Sequence, residues 1–278
     1  ILLEHAGGAV ERRGRQWIKT DPLSQRALGT PHAFDRPSPD ADWSGARHVR
    51  LGPLTWPQAE RRFAEIDLAL LPVGAIEQHG PHLPLDTDAW DAERLCNDVA
   101  EACSRPRPIV LPLISYGVSY HHDDFAGTMS ISPDTLSRMV HEIGIAAARN
   151  GVRKLLIING HGGNSPALHF AAQMINRDAH IFTCVDTGET SDADINRLAE
   201  TKSDVHAGEI ETSTSLATRP ELVDVTRLEK FVPRFSSQYL DFSSEYGVEW
   251  YAHTSRISPS GVLGDPTKAS AEKGRAMM

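Results

Sequence analysis

The feature that most constrains this chain is an alternation of short apolar runs with longer amphipathic stretches. Continuous apolar runs predict buried strands at residues 67–73, 109–114, 154–158 and 180–186. Apolar residues at helical spacing predict helices at residues 56–66, 89–103, 133–150, 165–176 and 267–278. Strands that alternate with helices of this length are typical of βαβ units. We therefore expect an α/β fold with a mainly parallel sheet and helices on both faces.

Composition argues against two classes of function. The 278 residues carry a formal charge of −9, which argues against a nucleic-acid-binding surface. No apolar stretch approaches the roughly 20 residues needed to cross a bilayer, so we expect no membrane segment. Three scattered cysteines are too few for a disulfide framework, and the first residues show no signal-peptide pattern. We expect a cytoplasmic enzyme.

The first 47 residues differ in composition from the remainder. They contain Arg, Pro and Gly with few periodic apolar positions, and include the turn-rich stretch D-R-P-S-P-D-A-D. We predict an N-terminal extension or arm at residues 1–47 and a single domain at residues 48–278. The arm would lie on that domain or on a neighbouring subunit, or would be disordered.

Carboxylates and imidazoles follow two of the predicted strands. After the first strand and Gly74 come five such side chains, Glu77, His79, His82, Asp86 and Asp88. His161 follows the third strand, in the turn N-G-H-G-G-N. Because sites in parallel sheets form beyond the carboxyl ends of the strands, we expect these two segments to meet. Converging carboxylates and imidazoles suit Zn, Mn or Fe, which predicts a metal site.

Three further candidates lie where another helix is predicted to begin, in the stretch D-V-H-A-G-E-I-E-T. If residues from Ala207 onward are helical, Glu209 and Glu211 point about 200° apart and only one can face the site. Helical spacing pairs His206 with Glu209, whereas a loop at Gly208 would free either glutamate. The glycine turn around residue 161 also has an alternative interpretation, because glycines before a helix can bind phosphate.

Five ordered motifs resemble those of the creatininase (creatinine amidohydrolase) family. They are E-Q-H-G-P-H-L-P-L-D-T-D, F-A-G-T, N-G-H-G-G-N, H-A-G-E-I-E-T-S and G-V-L-G-D-P. The resemblance implies a three-layer α/β/α sandwich, two divalent metal ions per chain and hydrolysis of carbon–nitrogen bonds in small or cyclic amides. It also implies a homohexamer built as a trimer of dimers.

The resemblance also assigns metal ligands by position. Glu77 and His79 are similar to the first two ligands of the family, and His161 is similar to a later one. Asp88 resembles the carboxylate that bridges both metals, which leaves His82 and Asp86 as supporting or structural residues.

One expected ligand is absent from the glycine turn. Creatininase itself has a glutamate two residues after the histidine of that turn, where this chain has Gly163. We predict that Glu211 replaces this ligand, ahead of Glu209. His206 resembles the substrate-side histidine of the family, and Glu209, if it is not a ligand, is a candidate proton shuttle; we expect both to be catalytic.

The substrate segment departs from the family pattern. Many members read G-x-S-x-E-H-x-x-F-P-G-T, where this chain reads G-V-S-Y-H-H-D-D-F-A-G-T, so that His121 replaces an acid. In creatininase, tryptophans close over creatinine, and no counterpart of them is evident near residues 178–206 of this chain. The predicted substrate-binding residues are Tyr120, His121, His122 and Asp123, with Tyr246 and Trp250 as further candidates.

These features together predict a metal-dependent amidohydrolase, other than creatininase itself, that acts on a small polar substrate. Two alternatives stay open. One is an enzyme that hydrolyses or opens an oxidised cyclic sugar or inositol. The other is a non-catalytic oligomeric protein stabilised by metal, in which Gly163 marks a lost second ion.

Overall fold

The computed structural model describes residues 10–13, 16–19, 48–186, 195, 197–202, 204–235, 237 and 250–278. The chain divides into two units, Ile1–Ser44 and Gly45–Met278. In the first unit, the strands β1 (Val10–Arg13) and β2 (Gln16–Lys19) pair in antiparallel fashion. The rest of the predicted arm lies outside the described residues, and its boundary at residue 47 stays a prediction.

Four strands form the centre of the second unit. They are β3 (Leu68–Val73), β4 (Ile109–Val110), β5 (Lys154–Asn159) and β6 (Phe182–Asp186). All four are parallel, and they pair in the order β4-β3-β5-β6. The described residues include the helices α1 (Trp56–Glu65), α2 (Thr87–Ala102), α3 (Pro133–Arg149), α4 (Ser165–Ala179), α5 (Glu209–Thr218) and α6 (Ala271–Met277).

Helices cover both faces of this sheet. On one face, Leu71 and Ile157 belong to a core that they form with α1, α3 and α4. On the other face, Leu70 and Ile158 pack with Cys96 of α2 in a smaller core. Alternate residues of β3 and β5 thus point into different cores, as the period of two in a strand requires. The predicted three-layer α/β/α sandwich with a parallel sheet is confirmed.

Local sequence explains where the helices begin. The Oγ of Ser132 accepts a hydrogen bond from the backbone N–H of Thr135 (3.1 Å), and Pro133 occupies the first position of α3. Thr55 precedes α1, which also has a proline in its first turn. Side chains that cap free N–H groups and prolines that need none are typical of helix starts.

Strand β4 is shorter than predicted. It ends at Val110 rather than at residue 114, because Pro112 has no N–H to donate to the neighbouring strand. Backbone pairing resumes at Ile114, whose N–H donates to the carbonyl of Pro72 (3.1 Å). The loop after β4 therefore still runs beside the carboxyl end of β3.

Two other elements begin later than predicted. Strand β6 starts at Phe182, because His180 adopts a left-handed conformation (φ 53°) as the chain leaves α4. Helix α6 starts at Ala271, where Ser270 caps it, and Pro266–Lys268 form a separate 3-10 turn. Among the described residues, no helix is both long and apolar enough to cross a membrane.

The carboxyl ends of β3 and β5 lie side by side, with Val73 paired to Asn159. Asn164 joins the loops that follow. Its Oδ1 accepts a hydrogen bond from the N–H of Val118 (2.8 Å), and its Nδ2 donates to the carbonyl of Gly74 (3.0 Å). One buried amide thus fixes three loops relative to one another.

Candidate metal centre

Asp88 lies in the first turn of α2, which begins at Thr87 rather than at the predicted residue 89. That first turn packs closely on the turn after β5. A Cβ on Gly160 would lie 2.5 Å from the carbonyl oxygen of Asp88, so only glycine permits this approach. The Asp88 side chain is consequently buried beside the strand ends.

Two imidazoles meet the Asp88 carboxylate, one at each oxygen. The Nε2 of His79 lies 3.0 Å from Oδ1, and the Nδ1 of His161 lies 3.2 Å from Oδ2. Glu211 Oε1 lies 3.8 Å from His79 Nε2, and Glu77 Oε2 lies 3.3 Å from His161 Nε2. The structure therefore brings the two strand-end segments together, with Asp88 between them.

Donor atoms of three sets of side chains lie within 4.8 Å of one another. We name two sets by the residue that distinguishes them: the Glu211 group (His79, Asp88 and Glu211) and the His121 group (Glu77, His121 and His161). The third set overlaps both groups and consists of Glu77, His79 and His206.

Buried carboxylate oxygens in this cluster lack hydrogen bonds. Within the described residues, neither oxygen of Glu77 nor the Oδ2 of Asp88 accepts one. A buried charged oxygen without a partner is costly, so such atoms call for a compensating cation. Carboxylates and neutral imidazoles are the donors that Zn, Mn and Fe accept. The residues present therefore fit a divalent metal centre.

Backbone carbonyls orient three of the imidazoles. Because a carbonyl oxygen can only accept, the ring nitrogen that faces it must carry the proton, and the other nitrogen is left as a potential ligand. These bonds run from His79 Nδ1 to Glu77 O (3.2 Å), from His161 Nε2 to Val118 O (2.9 Å) and from His206 Nε2 to Gln78 O (2.7 Å). Each free nitrogen then faces a carboxylate, His206 Nδ1 lying 3.5 Å from Glu77 Oε1.

Burial and close packing of the carboxylates and imidazoles in this cluster shift their pKa values. Burial raises the pKa of Glu77 to about 7 and that of Glu211 to about 8. Burial opposes protonation of the imidazoles, but Asp88 raises the pKa of His79 to about 10, and Glu77 with Asp88 raises the pKa of His161 to about 9. Without a cation, the cluster thus holds protons at atoms that a metal would need, so that metal binding is coupled to proton release.

Glu209 is not brought to this cluster. Its carboxylate is fully buried, pairs with Lys273 Nζ (2.6 Å) and accepts hydrogen bonds from the backbone N–H groups of Glu200 and Thr201 and from the Thr201 hydroxyl. Glu211, two residues later on α5, lies on the opposite side and faces His79. The placement of Glu209 therefore gives no support to a proton-shuttle role and indicates a structural one.

The predicted substrate segment is divided between the cluster and its rim. Residues Tyr120–His122 form a 3-10 turn. His122 is buried, with Nδ1 accepting from Gln78 Nε2 (2.8 Å) and Nε2 lying 3.5 Å from Glu77 Oε1. Tyr120 and Asp123 are exposed at the rim. Tyr246 lies outside the described residues, and Trp250 packs edge-on against Phe235.

The two residues expected to be supporting have partners of their own. His82 Nε2 lies 2.9 Å from Thr212 Oγ1, and Asp86 pairs with Arg219 (2.6 Å). Sequence reasoning missed Gln78, which stands between the first two candidate ligands. Its side chain donates to His122 and to the carbonyl of Gly261 (3.1 Å), and its own carbonyl orients an imidazole. The stretch E-Q-H places Gln78 between two candidate ligands, and this is the signal that could have revealed it.

Comparison with known proteins identifies the family. Residues 53–278 match the family model described as creatinine amidohydrolase. A mycofactocin precursor peptide peptidase of Mycobacterium ulcerans is 36% identical over 229 residues, covering 80% of this chain and 80% of that protein. A creatinine amidohydrolase of Pseudomonas putida is 31% identical over 252 residues, covering 84% and 93%. A solved manganese form of creatininase superposes with a TM-score of 0.71 at 30% identity, covering 82% of this chain and 92% of that one.

The matched region contains every candidate ligand, and both relatives are hydrolases by name. Their names differ in substrate, which agrees with the expectation of a member other than creatininase itself. This chain belongs to the creatininase family and is a hydrolytic enzyme.

Proposed function

We propose that this enzyme hydrolyses an amide carbon–nitrogen bond with the help of two divalent metal ions. The ligands would be Glu77, His79, Asp88, His161 and Glu211. The observation that carries the proposal is the set of buried oxygens on Glu77 and Asp88 that accept no hydrogen bond and face oriented imidazoles. Zn, Mn and Fe all suit this mixture of donors.

Bound divalent ions would lower the pKa of water toward about 7 and polarise the carbonyl of the substrate. The protein supplies the orientation of the donors and a proton acceptor. Because His206 Nε2 donates to the carbonyl of Gln78, its Nδ1 is unprotonated and faces the cluster. Burial and the neighbouring His79 hold the pKa of His206 well below its usual range.

Because the ring is neutral and its Nδ1 carries no proton, we assign His206 the role of accepting a proton from water and delivering it to the leaving nitrogen. Water adds to the carbonyl carbon, the carbon–nitrogen bond breaks, and the products are a carboxylic acid and an amine. A negatively charged oxygen forms on the substrate carbonyl when water adds to it. Because Nδ1 carries no proton, it cannot donate a hydrogen bond to that oxygen, and the proton-transfer role is favoured.

The substrate would be a small polar amide or a short peptide. One relative is named a peptidase of a precursor peptide, and the other is named an amidohydrolase of creatinine. Tyr120 and Asp123 stand at the exposed rim, where a substrate would first contact the enzyme. Family membership as a hydrolase leaves no support for the non-catalytic alternative.

A metal-exchange assay tests the proposal. The purified enzyme is stripped with a chelator, reloaded with Zn, Mn or Fe, and incubated with short peptides, creatinine and an oxidised inositol. We expect release of amine from an amide substrate, lost on chelation and restored by metal. Ring opening of the inositol with no amide cleavage would favour the sugar-hydrolase alternative. Amide hydrolysis that persists without metal would refute the proposal.

The hexameric assembly implied by the resemblance and the cytoplasmic location expected from composition stay predictions. Light scattering after size-exclusion chromatography tests the first, with a mass near six times 30.5 kDa expected. Fractionation of the source cells tests the second.

A further inference from the structure

Position 163 cannot supply a metal ligand in this chain. A Cβ on Gly163 would lie 2.2 Å from the carbonyl oxygen of Val118 and 2.5 Å from His161 Nε2. That close approach is what allows Nε2 to donate to the same carbonyl at 2.9 Å. A side chain at residue 163 would therefore push away the backbone that orients a proposed ligand.

The space in front of Gly163 is filled by the ring of His121. The His121 Cε1 atom lies 3.2 Å from the position of a Cβ on Gly163. The ring is parallel to that of His161, with an interplanar angle of 2° and ring centres 5.5 Å apart. A donor atom of His121 lies within 4.8 Å of donor atoms of both Glu77 and His161.

Neighbouring histidines on this turn differ in their bonding. His122 forms a hydrogen bond with Gln78. Within the part of the chain that the structure describes, no hydrogen bond of either His121 ring nitrogen is found, so both are available to a ligand. The turn itself is held in place, because Ser119 N–H donates to Ser130 Oγ (2.8 Å) and the His122 N–H donates to the Ser119 carbonyl (2.8 Å).

We propose that His121 is a ligand of the metal ion held by Glu77 and His161, in the space that no side chain at residue 163 can fill. The inference rests on the proposed function, since it presupposes a metal centre. It also revises the prediction that Glu211 alone compensates for Gly163, because Glu211 lies with His79 and Asp88 instead.

The two groups would then differ in metal preference. The His121 group offers two imidazoles and one carboxylate, whereas the Glu211 group offers one imidazole and two carboxylates. Imidazole donors favour Zn, and carboxylate donors suit Mn. We expect the His121 group to hold Zn against Mn more strongly than the Glu211 group does.

Metal content and Co²⁺ absorption of His121→Ala, His121→Gln and His121→Glu test the inference. We expect wild type to hold two ions per chain, and His121→Ala to release one at least about 10-fold more readily, with an altered Co²⁺ spectrum. His121→Gln should behave like His121→Ala, whereas His121→Glu should recover occupancy and shift its preference toward Mn. His169→Ala, which alters an exposed histidine on α4, should retain two ions and the wild-type spectrum.

Two outcomes separate the inference from the function on which it rests. If folded His121→Ala and His121→Gln retain two ions with unchanged affinity and spectrum, His121 is not a ligand, and the proposed hydrolase stands. If wild type itself binds no metal, the proposed function fails, and the inference fails with it. Circular dichroism confirms that each variant is folded.

Discussion

Two glutamates on helix α5 should respond in opposite ways to the same substitution. Glu211 faces His79 and accepts a hydrogen bond from the N–H of Ala207, whereas Glu209 faces Lys273. We therefore expect Glu211→Gln to weaken the binding of one metal ion at least about 10-fold. Glu209→Gln should leave metal content unchanged and reduce stability.

The stability of the metal-free chain provides the second half of this comparison. The folded-state pKa of Glu211 is raised from 4.5 to about 8, so its burial costs progressively more stability as the pH rises between those values. Each pKa unit corresponds to about 1.36 kcal/mol. Solvent screens this side chain, which is 30% exposed, so we expect Glu211→Gln to stabilise the metal-free protein by only about 1–2 kcal/mol at pH 8.

Glu209→Gln should act in the other direction. It neutralises a fully buried carboxylate that pairs with Lys273 at 2.6 Å, an interaction whose loss costs about 2–3 kcal/mol. At about 2–4 °C per kcal/mol, the melting temperature should fall by roughly 4–12 °C. The assay is thermal unfolding in chelator at pH 8, paired with metal analysis of the untreated protein. A loss of metal from Glu209→Gln together with full retention by Glu211→Gln would refute the assignment.

Three further results are expected. Asp88→Asn should lose both metal ions, because each oxygen of the Asp88 carboxylate contacts a different imidazole. The control variant Asp86→Asn should retain both ions, because Asp86 pairs with Arg219 instead. Equal metal contents in the two variants would exclude a bridging role for Asp88. Between pH 6 and 8, metal affinity should rise by about 10-fold per pH unit for each proton that metal binding releases. The cause is that His79 and His161 hold protons with pKa values of about 10 and 9. A competition titration that finds no pH dependence of metal affinity would contradict this. Gly163→Ala should lower the free energy of unfolding, measured in urea, by about 1–3 kcal/mol. An unchanged urea midpoint would show that the loop accommodates the added methyl group without strain.

The layered fold was predictable from sequence because the periodicity of the apolar residues and the lengths of the predicted strands and helices are enough to identify it. The apolar run that forms β3 and the capping residue at the start of α3 are local features of the sequence, and the structure retains both. The errors fall where a single residue interrupts a run. Pro112 removes a donor from the predicted second strand, and the left-handed His180 delays β6. Sequence reasoning marked apolar stretches correctly and misjudged where backbone pairing within them stops.

The candidate site was predictable where it follows from strand ends. Glu77 and His161 could be placed at one edge of the sheet because parallel strands end together. The choice between Glu209 and Glu211 depended on the start of α5, which sequence left open. The position of His121 depends on how a loop folds over Gly163, a tertiary contact with no local sequence signal. The sequence predicts a substrate-binding role for His121 because it lies in the segment that departs from the family pattern, whereas its role as a metal ligand is a proposal made from the structure.

Anomalous diffraction from crystals of the metal-loaded enzyme tests the central claim most directly. We expect two peaks per chain, one at the Glu211 group and one at the His121 group, with the Asp88 carboxylate between them. Data collected at the Zn and Mn absorption edges would also identify the ion at each position. A single peak, or none within reach of Asp88, would contradict the account of a two-metal hydrolase.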